Sequence, residues 1–304
     1  MRKGRLRCTT VPFPTVPNRG RWVEKTWNGL ENISNKVIHG DRIWSDGTKI
    51  YYSYGDTQLV LNGNTWEPKV WNLVPHYGNN VWTDGENIYY THEIVSGDDK
   101  GVHHYVLDNG VWKTKTWDVP KLTGSCVWSD DKNIYYTCIS LPDQNYNYVL
   151  DNGVWKTKAW DGLEDLDNIF GSEMWSDGVN IYHSEYSHLV LNGNTWEPKE
   201  WEPIASGIFY GLDLWTDGID LYHTSNWNGQ PYVLHGDSWE KIDFNFDLRH
   251  GRCVWTDGVD IYYSCEDAQY VLERTQPQDL NPGSMLMGWL AGRAVAGQRL
   301  HVKQ

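Results

Sequence analysis

The chain has 304 residues, 39% hydrophobic and 22% charged, enough to build a substantial core. Its 26 Lys and Arg stand against 40 Asp and Glu, a net charge of −14, which argues against a general binder of nucleic-acid phosphates. No stretch approaches the ~18–20 uninterrupted apolar residues of a membrane-spanning helix, and 19 Trp and 19 Tyr beside 5 Phe call for a repeat.

In chain order, residues 1–20 come first, a basic and extended arm with Pro12, Pro14 and Pro17. No run of apolar residues follows the basic start, so no secretory signal is expected. Residues 1–25 carry +6 and residues 283–304 carry +3, leaving −23 on the body between them. Arg2, Lys3, Arg5 and Arg7 are the expected docking residues of this arm, for acidic surfaces of partner subunits.

A phrase then recurs six times: Trp-Ser/Thr-Asp, three turn residues, and Ile/Leu-Tyr-Tyr/His. It starts at Trp44, Trp82, Trp128, Trp175, Trp215 and Trp255. A second phrase follows each of the first five: Val-Leu, a short turn containing Gly, and a pair of Trp five residues apart. Phe244 replaces the last Trp of the fifth pair. Each unit reads as four strands, in the first unit 41–44, 49–53, 57–61 and 65–71. The Asp-Gly and Asn-Gly dipeptides supply the positive φ of two-residue hairpins.

Four antiparallel strands per forty-odd residues, in tandem, predict an all-β fold: a six-bladed β-propeller of four-stranded blades. No helical pattern alternates with the strands, which excludes a TIM barrel or a Rossmann fold. The predicted blades are 41–71, 79–117, 125–160, 173–201, 213–244, and 252–272 with 21–27. The sixth unit lacks its Trp pair, and that pair sits at the other end of the chain as Trp22 and Trp27. Segment 21–27 is therefore expected to complete the last blade and close the ring. The propeller is bounded at 21–276, with a linker and docking segment at 277–304. The pattern resembles the kelch-type propellers across about 250 residues, although the paired glycines of kelch units are absent.

Side chains repeated in every blade fill the space between blades, so the Trp excess reads as packing. The six Asp of the first phrase read as turn residues, because an active site would be unique to one or two blades. Cys126 with Cys138, and Cys253 with Cys265, take matching places on two hairpins, where Arg42 and Tyr54 stand in the first unit. These places are expected to face each other. Without a secretion signal the thiols are expected to be reduced. No zinc spacing, phosphate loop or nucleophile motif occurs, so no metal, no cofactor and no enzymatic activity are expected.

Loop lengths point to one binding face. The first and third turns of each unit are short. The second turns and the links between units vary widely and share the opposite face of a propeller. Variable loops on a rigid scaffold carry recognition. Tyr77, Tyr146, Phe170, Phe209, Tyr210 and Trp227 are the off-register aromatics of these loops. They are the candidate contacts for a cell-surface glycan or protein.

The tail is different again. Gly288, Trp289, Gly292 and Arg293 lie in a short docking segment with a small-xxx-small face. Residues 285–299 resemble the C-terminal segments of phage and prophage proteins of Firmicutes. That resemblance implies a virion structural component, made in the bacterial cytoplasm and joined to other virion subunits through both ends. A carbohydrate-binding lectin and a propeller glycosidase or lyase are the alternatives.

Overall fold

The computed structural model describes residues 20–273 except 32, 34–36, 74, 76, 95–100, 118, 120–125, 131, 140–144, 164–172, 185–187, 202–212, 218–219, 225–230, 243, 245–247, 249–250 and 266–267. The described residues form six four-stranded antiparallel sheets, the blades of a β-propeller. The N-terminal strand β1 (Arg21–Glu24) belongs to the last blade. Blade one contains β2 (Ile43–Ser45), β3 (Ile50–Tyr54), β4 (Thr57–Asn62) and β5 (Thr65–Pro68), paired in that order. Blade two contains β6 (Val81–Thr83), β7 (Ile88–Ile94), β8 (Gly101–Asp108) and β9 (Val111–Thr114). Blade three runs from β10 (Val127–Ser129) through β11 (Ile134–Ile139) and β12 (Asn145–Asp151) to β13 (Val154–Thr157). Blade four contains β14 (Met174–Ser176), β15 (Ile181–Ser184), β16 (His188–Asn192) and β17 (Thr195–Pro198). Blade five contains β18 (Leu214–Thr216), β19 (Leu221–Thr224), β20 (Pro231–His235) and β21 (Ser238–Lys241).

Blade six closes the ring as the strand count requires. Its β22 (Val254–Thr256), β23 (Ile261–Cys265) and β24 (Ala268–Glu273) come from the end of the repeat, and β1 supplies the fourth strand. Trp22 pairs with Leu272 and Val23 with Val271. The ladder continues one bond further, from Lys25 N–H to Gln269 O at 2.7 Å. This strand ends at Glu24, short of the expected residue 27, and β5 ends at Pro68, short of 71. The second Trp of each pair therefore lies past the strand, where it folds back over its own blade.

The turns divide by chemistry. Asp108 pairs with Val111 across Asn109 (φ 50°) and Gly110 (φ 77°), both left-handed as a type I′ hairpin requires; Asn152 and Gly153 repeat this in blade three. The Asp-Gly turns differ from the two-residue hairpins expected. Ser45 pairs with Ile50, so four residues intervene. Asp46 Oδ1 accepts the N–H groups of Thr48 (2.9 Å) and Lys49 (2.8 Å), which holds the wider loop closed while Gly47 takes φ 87°.

Aromatic wedges join the blades. Trp44 stacks on Tyr51 of its own blade with ring centroids 4.4 Å apart, and Trp112 of blade two lies 5.9 Å away. One such cluster lies between each pair of consecutive blades. The closing one sets Trp27, Trp255 and Tyr262 of blade six against Ile38, Tyr52 and Trp66 of blade one. Lys25, Lys69, Lys115, Lys158 and Lys199 each lie over the second Trp of their pair, at 4.2–4.7 Å from the ring centre. The Trp excess of the composition is thus spent on packing.

Among the described residues, Gly40, Gly78 and Gly251, each four residues before a repeat Trp, bring consecutive blades into close approach. A Cβ on Gly78 would lie 2.1 Å from the carbonyl oxygen of Arg42, one blade earlier. Gly40 meets Cys253 O (2.2 Å) and Gly251 meets Asp213 O (1.9 Å) in the same way. Arg42, Asp213 and Cys253, each two residues before a repeat Trp, are therefore packed against the following blade.

Candidate functional site

Two of these tight places build an exposed site on the variable-loop face, where blades one and two meet. Arg42 ends a 3-10 turn (Gly40–Arg42) that leads into β2. Tyr77 precedes the equivalent turn (Gly78–Asn80) that leads into β6. Arg42 N–H donates to His39 O at 2.9 Å, and Asn80 N–H donates to Tyr77 O at 3.0 Å. Tyr54 ends β3, beside the short second turn of blade one, and forms an antiparallel bridge with Tyr77.

The side chains converge. The Arg42 guanidinium carbon is 5.4 Å from the Tyr54 ring centre and 5.6 Å from that of Tyr77. The two rings are 6.4 Å apart and inclined at 63°. Tyr54 is 47% exposed and Tyr77 45%. Asp41 Oδ2 lies 3.4 Å from Arg42 Nε, and the His39 ring lies 5.9 Å from that of Tyr54. Below them Gln58 Nε2 donates to Gly55 O (3.0 Å) and Pro75 O (3.1 Å), pinning both loops to the blade. Two tyrosine faces and a paired cation are thereby presented in a fixed arrangement.

Blade two continues this rim with imidazoles. His92 takes the place that Tyr54 has in blade one, stacks on Tyr90 at 4.9 Å, and pairs across the ladder with His103. The neighbouring His104 is buried. Burial, with His103 and His92 nearby, lowers its pKa to about 4.

A second ionisable group lies between blades four and five. The residues two before each Trp are Arg42, Asn80, Cys126, Glu173, Asp213 and Cys253. Glu173 and Asp213 are buried carboxylates of adjacent blades. His183 and His223 are buried where the other blades have Tyr52, Tyr90, Tyr136 and Tyr263. Burial lowers the pKa of His183 to about 4 and that of His223 to about 3, and proximity to His188 lowers both further. These imidazoles are neutral at pH 7. Among the described residues, no group of three or more His, Cys, Asp or Glu is placed to hold a metal ion.

Of the loop aromatics picked out by sequence, Tyr77 is in the rim just described. Tyr146 lies in β12, its backbone paired with Cys138, and its side chain lies outside the described residues. Phe170, Phe209, Tyr210 and Trp227 lie outside them altogether. So do Arg2, Lys3, Arg5 and Arg7 of the arm and Gly288, Trp289, Gly292 and Arg293 of the tail. The sequence reading missed Tyr54 and Arg42 as contacts. Their signal was the register: they take the two places held by Cys126 and Cys138 in blade three. In blade one these places do come together, as the Arg42–Tyr54 contact shows. Cys126 and Cys253 are buried.

No known family description matches the chain. No curated protein matches it either. Among solved structures, it is similar to the extracellular domain assigned to a hybrid two component system of B. thetaiotaomicron. The identity is 16% and the TM-score 0.47, over 77% of this chain and 32% of that one, so the chain spans about a third of that structure's length.

Proposed function

We propose that this chain is a non-enzymatic binding module that recognises its ligand with the variable-loop face of the propeller. The observation that carries this reading is the Tyr54–Arg42–Tyr77 set: large, half-exposed aromatic surface beside a cation, on backbone fixed by the ring. Exposed aromatics placed this way carry recognition rather than stability, since the stabilising aromatics are buried between blades. The test is adhesion of the labelled protein to intact bacterial cells. The wild type binds, and a Tyr54→Ala/Tyr77→Ala double variant of unchanged melting temperature does not. Equal adhesion of the two would refute the reading.

Within that function we place the module in a phage or prophage virion. The basic arm at 1–20, the small-residue tail at 285–299 and the resemblance of that tail to phage proteins support this. Both ends would then hold the module on other virion subunits and leave the loop face outward. The corresponding test is incorporation into particles by the full chain and by a chain lacking 1–19 and 277–304. Loss on truncation supports the reading, and equal incorporation contradicts it.

A further inference from the structure

We infer that the Tyr54–Arg42–Tyr77 corner takes a neutral pyranose of a surface glycan, an inference that rests on the binding-module reading above. Three observations lead to it. First, the geometry is that of a corner. Two tyrosine rings inclined at 63°, 6.4 Å apart, with the Arg42 guanidinium over both, still leave nearly half of each residue exposed to meet a flat ligand face. A pyranose presents such a face: its axial C–H groups are apolar and carry slight positive charge, complementary to the negative face of an aromatic ring.

Second, the polar groups at the corner suit hydroxyls. The Arg42 guanidinium is a fork of donors, and the Asp41 carboxylate beside it accepts. Vicinal hydroxyls both donate and accept, so one diol can use both partners.

Third, the charge is balanced. Asp41 pairs with Arg42 at 3.4 Å, so the corner has no surplus cation for an acidic sugar. The body around it carries −23, which repels polyanions. A neutral sugar avoids both costs.

The corner is also rigid. The backbone of Tyr77 is held by its bridge to Tyr54 and by the close approach of Gly78 to Arg42 O, so little backbone freedom is lost on binding.

The experiment uses the full-length chain on an array of neutral and acidic bacterial surface polysaccharides. The expected result is binding to neutral glycans, weakened about tenfold by Tyr54→Ala or Tyr77→Ala alone. Arg42→Lys, which keeps the charge and loses the fork, weakens it too. In parallel, cells are treated with periodate, which cleaves vicinal diols, or with protease. Adhesion lost to periodate and kept after protease supports the inference. Adhesion kept after periodate and lost to protease overturns it in favour of a protein ligand, while leaving the binding-module reading intact. Binding only to acidic glycans, or binding indifferent to Tyr54 and Tyr77, also overturns it.

Discussion

Trp44 donates its indole N–H to Ser53 Oγ at 2.9 Å, across nine residues of sequence, and both groups are buried. The same bond recurs in every blade, from Trp82 to Thr91, Trp128 to Thr137, Trp175 to Ser184, Trp215 to Thr224 and Trp255 to Ser264. Each Trp also stacks on a Tyr whose hydroxyl donates to the turn Asp, at 2.7 Å for Tyr51 and Asp46. Turn, strand and blade interface are thus one hydrogen-bonded unit, repeated six times.

Ser53→Ala leaves the Trp44 N–H buried without its acceptor and is expected to cost about 1–3 kcal/mol. Ser53→Thr restores the acceptor, as blades two, three and five already show, and is expected to be near neutral. Urea unfolding of the two variants checks this. Equal midpoints would show that the bond contributes nothing.

Trp128 is buried between blades three and four. Trp128→Ala removes the aromatic wedge there and is expected to cost about 3–5 kcal/mol. An unchanged melting temperature would show that the interface does not depend on it.

Gly78→Ala places a methyl 2.1 Å from Arg42 O and forces the blades apart, at about 3 kcal/mol or more. Gly55→Ala, with φ 56° but nothing within 4 Å, costs only about 1–2 kcal/mol of left-handed strain. Gly78→Ala should also displace Tyr77 and weaken ligand binding. Calorimetric unfolding ranks the two, and the reverse order would contradict the close approach.

Acid should destabilise the fold in two stages. His104, His183 and His223 have folded pKa values lowered to about 4, 4 and 3, below the ordinary 6.5. The unfolded chain therefore binds protons that the folded chain refuses. Stability is complete above pH 6.5 and falls between pH 6.5 and 4, by up to about 1.4 kcal/mol per pH unit for each His. Below that, the turn carboxylates add to the loss. Burial raises the pKa of Asp46, but its bonds from Tyr51, Thr48 and Lys49 outweigh this and hold it below 3.8; Asp177 is likewise lowered. Their contribution is present above pH 3.8 and lost as pH falls through their folded values. Melting temperatures from pH 7 to 3 test this, and a flat profile from 6.5 to 4 would contradict the buried neutral imidazoles.

The blade count and the ring closure were legible because the repeat fixes register and the missing Trp pair could be counted. The length of the Asp-Gly turns was not. The dipeptide implies two residues, whereas the Asp46 side chain spans four by taking two backbone N–H groups. The glycine four residues before each Trp was in plain view, but the reason for it at Gly40, Gly78 and Gly251, a carbonyl from the preceding blade, is tertiary. Tyr54 and Arg42 were hidden for the same cause. Their places vary from blade to blade, and only the ring brings Tyr77 of the next blade against them.

The ring is closed by β1 on β24, and that closure gives the loop face its rigidity. Native-state amide hydrogen exchange over Arg21–Glu24 tests it most directly. Protection equal to that of Ala268–Glu273, lost only on global unfolding, is the expected result. Exchange of Arg21–Glu24 at the rate of an unstructured chain, with β24 still protected, would contradict it.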